Sequence, residues 1–203
     1  MILLKYFTIA FILSALGTIP IGLITLTISQ RTIEQGKSVG RKIALGATVV
    51  EFTYTIIALY GLNVIPVNAV WTKYIEIGTI FLFLLLGIYY LRKPSLQNLE
   101  LKPARQGLHF LQGIGIGMMN MLIVPFWLVV GLWLQSNGLA FDQNLPIVIF
   151  SFGAALGALL IFIVYIEGSV LLLNKSKAIA TYSNKVIGSL FIILVLFQII
   201  RLL

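Results

Sequence analysis

The sequence predicts an all-α membrane protein, with six transmembrane helices arranged as two inverted three-helix repeats in a single domain over 1–203. Three observations predict it. The 203-residue chain is 60% apolar and only 10% charged, where an ordinary soluble domain is roughly 25% charged. The apolar residues gather into six stretches, each near the roughly 20 residues that span a bilayer. The first three stretches echo the last three in the same order. A soluble fold of this length could not hide so much apolar surface, which excludes a water-soluble enzyme and an ordinary globular binding domain. Disorder is excluded because disordered chains are poor in apolar residues. With no cysteine and one histidine, His109, the chain has no disulfide framework, dithiol chemistry, thiolate metal site or multi-histidine metal centre. No cofactor is called for.

The first stretch runs from about Tyr6 to Ser29, and is too long for the roughly 7–15-residue apolar core of a signal peptide. The second covers about Ile43 to Leu62 and the third Tyr74 to Leu91. The fourth covers about Phe110 to Leu134, the fifth Ile147 to Leu173 and the sixth Val186 to Leu202. Repeat 1 is 1–91, a polar connector with Pro94 and Pro103 fills 92–108, and repeat 2 is 109–203. The loop Gln30 to Lys42, with Gly36 and Gly40, suits a tight helix-to-helix turn.

The net charge of +8 would suggest nucleic acid in a soluble protein, but its location decides otherwise. Arg31, Lys37, Arg41 and Lys42 follow the first stretch. Arg92, Lys93, Lys102 and Arg105 follow the third, and Lys175, Lys177 and Lys185 the fifth. Eleven basic residues therefore share one side, against Lys5, Lys73 and Arg201 on the other. Basic loops stay in the cytoplasm, so both termini are expected outside. The partners expected are the lipid bilayer and a small molecule, with no nucleic acid. The sequence allows association between copies and does not specify it.

The internal echo is specific in places. Ile77-Gly78-Thr79-Ile80-Phe81 matches Ile187-Gly188-Ser189-Leu190-Phe191, Gly46-Ala47 matches Gly153-Ala154, and Pro20 matches Pro125. A three-helix unit crosses the membrane an odd number of times, so its second copy is inverted. Inverted repeats with helices interrupted at matching positions are a common transporter architecture, with the site at the midplane.

Polar residues inside the spans mark the candidate site. Around Gly17-Thr18-Ile19-Pro20-Ile21-Gly22 the proline removes a donor and the glycines loosen the chain. Ser14, Thr18, Gly22, Thr25 and Ser29 recur on one face, which reads structurally as a small-residue packing seam. The fourth stretch carries Gly113, Gly117, Asn120 and Pro125-Phe126-Trp127. Its glycines read as packing. Asn120 could tie helices together or contact substrate, and Trp127 reads equally as core or cavity wall. Glu51 is the most informative residue. Counted from Ile43 it lies about 12 Å into its helix at 1.5 Å per residue. A carboxylate there costs at least ~2.5 kcal/mol and marks a pathway or proton relay by default. Thr48, Tyr54 and Thr55 share its face. The repeat partner of Glu51 falls near Ala158, so the acid is not duplicated. Glu167 reads as interfacial, within reach of Lys175. Glu76 pairs with Lys73, and His109 is interfacial.

These residues resemble the LysE-type translocator family. The resemblance rests on Pro20-Ile21-Gly22, Gln30-Arg31-Thr32, Gly36-Lys37-Ser38-Val39-Gly40, then Gly46, Glu51 and Tyr54. In the second half it rests on Gly113, Asn120 and Pro125-Phe126-Trp127. Where the family often has a second proline and then a small amide residue, this chain has Leu23 and Thr25. The resemblance implies export of amino acids or related zwitterions from the bacterial cytoplasm across the inner membrane, driven by inward proton flow. Thr18, Pro20, Gly22, Thr25, Glu51, Tyr54, Asn120, Pro125 and Trp127 would form the site, and Glu51 would carry the proton. Two other readings stand beside it. One is an ion or metal permease of the same superfamily, using Glu51, Asn120 and Thr25 as oxygen ligands. The other is a scaffold that has lost transport. No paired-acid, Ser/His or HExxH arrangement supports an enzyme.

Overall fold

The computed structural model describes residues 2–19, 22–64, 69–92, 107–136 and 138–169, and scattered positions between 185 and 200, some of them by backbone alone. Regular structure among the described residues is α-helical: α1 Ile2–Thr18, α2 Leu23–Gln35, α3 Lys37–Val64, α4 Ala69–Arg92, α5 His109–Met118, α6 Ile123–Ser136 and α7 Asn144–Glu167. Two described helices, α3 and α7, are long and apolar enough to cross a membrane. The number rises to four if each of two bent pairs is one span. Those pairs are α1 with α2, bent by 72°, and α5 with α6, bent by 61°. The first and fourth predicted stretches therefore each fold as two half-helices.

Two boundaries differ from the sequence reading, for local reasons. The stretch Gln30 to Lys42 is not a loop. Gly36 alone makes the turn, with φ of 91°, a left-handed conformation that favours glycine. Helix α3 then starts at Lys37, because Gly40 brings it so close to α2 that an added methyl would strike the Thr32 hydroxyl. The fourth stretch breaks ahead of Pro125. The proline sits in the first turn of α6, where its missing N–H costs nothing. Pro20, the connector over 93–106, Lys175 and most of the sixth stretch lie outside the described residues.

The chain forms two compact units. The first holds Met1–Val64 with Glu100–Asn174, and the second Ile65–Leu99 with Lys175–Leu203. In the first, glycines set the helix contacts. A methyl added at Gly153 or Gly157 of α7 would strike the Phe7 or Phe11 carbonyl of α1. One added at Gly46 of α3 would strike the Phe110 carbonyl of α5, and one at Gly113 the Ile43 carbonyl. Gly117 of α5 lies against Val50 of α3, so numbers rise together from Gly153–Phe7 to Gly157–Phe11 and from Gly113–Ile43 to Gly117–Val50, and α1 runs parallel to α7 and α3 parallel to α5. In the second unit, Gly87 of α4 lies against Ile192 and Gly188 against Leu91.

The core of the first unit has two apolar clusters. Tyr6, Leu59, Leu62, Trp127, Phe141 and Phe150 belong to one. Ile28, Ile43, Ala47, Ala158, Phe162 and Ile166 belong to the other. Along α3, one cluster takes the C-terminal half and the other the N-terminal half, leaving the middle to polar residues.

Candidate functional site

Glu51 stands midway along α3. With Lys37 as the first residue it is about 20 Å from either end at 1.5 Å per residue, deeper than the shorter predicted helix placed it. Its Oε1 accepts a hydrogen bond from the Trp127 indole N–H of α6 at 3.0 Å. Trp127 is fully buried. Ser14 of α1, only 3% exposed, brings its hydroxyl against the same carboxyl. Three helices thus converge on one acid. Among the described residues the wholly buried Ser151 hydroxyl of α7 has no hydrogen-bond partner.

The threonines of the polar stripe behave differently. Thr48 donates to the Ala44 carbonyl at 2.9 Å and Thr55 to the Glu51 carbonyl at 2.7 Å. These bonds stay within the helix and leave the Glu51 carboxyl as the group on this face bonded to α6. Thr18 donates to the Ser14 carbonyl at 2.8 Å. Thr25 caps α2, accepting from the Gly22 N–H at 2.9 Å and donating to the Gly22 carbonyl at 3.1 Å. Among the described residues no hydrogen bond joins Thr18, Gly22 or Thr25 to Glu51.

The helix breaks are closed by tyrosines and backbone. At the first, Tyr165 of α7 donates to the Ile19 carbonyl at 2.6 Å. At the second, Tyr54 of α3 donates to the Met118 carbonyl at 3.1 Å. Asn120 bridges that gap with its backbone, donating to the Gly117 carbonyl at 2.9 Å and accepting from the Ile123 N–H at 3.3 Å. Carbonyls freed at a helix end need such partners in an apolar setting. Tyr54, expected beside substrate, also ties α3 to the backbone of a break. Nothing local in the sequence marks Tyr165 as the partner of a carbonyl 146 residues away.

Glu167 sits at the end of α7. Its described partners are Lys37 and Arg41 of α3, the latter at 3.3 Å. The long α3 brings these cations to it. Among the described residues no three His, Asp or Glu side chains converge as a metal site would require.

The LysE type translocator family model matches residues 15–201, which is nearly the whole chain. The chain belongs to the LysE-type translocator family. It is accordingly a membrane translocator. No curated protein and no solved structure matches it, so within the family the residues themselves carry the functional reading. The match runs from the last turn of α1 through both helix breaks and includes α3 with Glu51, and Trp127.

Proposed function

We propose that this LysE-type translocator is a secondary exporter of amino acids or related zwitterionic metabolites from the bacterial cytoplasm, coupled to inward proton flow across the inner membrane. The observation that carries the reading is the Glu51–Trp127 contact at the middle of α3. An acid held there by an indole, with the Ser14 hydroxyl beside it, can exchange a proton for a substrate ammonium. Half-helix α6 begins two residues before Pro125, and a helix N-terminus favours negative charge. A zwitterion fits an acid and a helix N-terminus together.

The two inverted repeats, 1–91 and 109–203, belong to this proposal. Their support is the pairing of parallel helices, α1 with α7 and α3 with α5, and the matched clash of Gly153 with Phe7 and of Gly46 with Phe110. Each break also receives one tyrosine from the long helix paired with its first half.

The test is efflux from proteoliposomes preloaded with single amino acids, run beside a metabolite profile of a deletion strain fed dipeptides. Accumulation of one amino acid in the strain, with matching pH-dependent efflux, supports export. Accumulation of a metal would favour a permease. No change under any load would leave a scaffold.

A further inference from the structure

The apolar cluster on the C-terminal side of Glu51 contains a residue that no helix carries. Phe141 lies in the connection between α6 and α7 and is fully buried. Its ring meets Tyr6 edge-on at 5.4 Å and Phe150 at 5.2 Å. Phe150 meets Trp127 at 5.2 Å, and Trp127 holds Glu51. An unbroken chain of rings therefore runs from a surface connection to the partner of Glu51.

The way this connection is held differs from the rest of the core. Connecting segments normally stay on the surface, because their backbone polar groups need partners. Here the partners are side chains from helices that the connection does not join. Tyr6 of α1 donates to the Ala140 carbonyl at 2.6 Å, and Asn63 of α3 to the Phe141 carbonyl at 2.8 Å. One turn below Asn63, Tyr60 donates to Asn144 Oδ1 at 2.9 Å. Ala140, Tyr60 and Asn63 are exposed, so water can replace two of these bonds at small net cost. Gly153 and Gly157 at the α1–α7 seam and Gly46 and Gly113 at the α3–α5 seam lie instead against backbone. The Phe141 connection is thus held at its exposed edge by single side-chain bonds while its ring is inserted into the core.

We propose that Phe141 is the gating residue of the outward pathway, closing the passage between Glu51 and the α6–α7 end of the protein and opening it by withdrawal. This rests on the transport reading for the direction of cargo, while the closure itself is testable without substrate. Ser14→Cys places a thiol beside Glu51 in a chain with no cysteine. With Phe141 present, this thiol should react slowly with a small impermeant thiol reagent. Phe141→Ala should speed the reaction about tenfold or more, as loss of two edge-to-face ring contacts implies. The gain should appear only from the side on which Gln143→Cys labels, compared in intact cells and inverted vesicles. Equal reactivity with Phe141 in place would overturn the proposal. So would an unreactive thiol in Phe141→Ala protein of unchanged helicity and monodispersity. If that variant fails to fold, cysteines at Asn63 and Ala140, joined by a short reducible cross-linker, keep the question open to decision. Efflux should stop on bridging and return on reduction, and efflux indifferent to the bridge would also overturn the gate. Should no substrate show efflux in any preparation, the transport reading fails, and the accessibility measurement still decides whether Phe141 closes the passage.

Discussion

At the residue scale, the acid and the indole are separable from their neighbours by substitution. Glu51→Gln keeps the size of the side chain and an oxygen for the Trp127 N–H, but it cannot titrate. If Glu51 exchanges a proton for substrate, the variant should insert at normal levels and lose active efflux down to the passive background, at both acidic and alkaline pH. If Glu51 only ties α3 to α6, the change should be nearly silent, since such a bond in a membrane averages about 0.6 kcal/mol. Efflux from preloaded proteoliposomes at two pH values, with expression matched, separates the two. Tyr165→Phe tests a different role. It removes only the hydroxyl that serves the Ile19 carbonyl, and the expected loss is about 0.5–1.5 kcal/mol of stability, read as a lower melting temperature in detergent. Glu51 was legible in the sequence because a charge inside an apolar stretch stands out against its surroundings. Its partner Trp127 was named as a site residue but not as the donor, since an indole reads equally well as core. Tyr165 was not legible at all, because its function depends on a contact between distant segments.

At the element scale, broken helices and glycine seams determine the arrangement. Glycines were expected to mark close packing at Gly113 and Gly117, and the structure places both against α3. Adding bulk at a seam forces backbones apart, which typically costs about 1–3 kcal/mol. Gly153→Val and Gly46→Val should therefore each lower the melting temperature markedly. Gly115→Val should not, because open space surrounds Gly115, although it lies on the same α5 as Gly113. Thermal unfolding of the three purified variants checks this; valine is a better helix former than glycine, so a similar loss at Gly115 would show that the seam contacts do not set the cost. Proline was a good guide to which spans break and a poor guide to where. Pro125 permits the first turn of α6, while the gap itself falls at the residues before it, where Asn120 supplies the backbone bridge.

At the scale of the whole molecule, the two ends of the first unit differ in chemistry. Lys37 and Arg41 open α3 beside Glu167, which closes α7. The opposite end carries Asn63 near the end of α3 and the 138–143 connection, tied to each other and containing Asp142 as its charged residue. The long α3 and α7 lie antiparallel, so each end is shared by both. The charge count in the sequence foresaw this division, because basic loops alternate with neutral ones along the chain. It could not foresee that two of the basic residues would belong to a helix and pair with an acid, since that required α3 to begin at Lys37. We propose, from the cytoplasmic retention of basic segments, that the Lys37 end faces the inside and the Asp142 end the outside. The pairing with Glu167 does not weaken the assignment, because acidic residues contribute little to orientation and Arg31 and Lys42 remain at the same end. A cysteine-free chain makes the measurement direct. Ser38→Cys and Asp142→Cys are both at exposed positions, so labelling reports sidedness rather than burial. In intact cells an impermeant thiol reagent should label Asp142→Cys and spare Ser38→Cys, and in inverted vesicles the pattern should reverse. Labelling of Ser38→Cys from outside would turn the molecule over in the membrane, place the Phe141 connection at the cytoplasmic mouth, and make it a gate for loading rather than release.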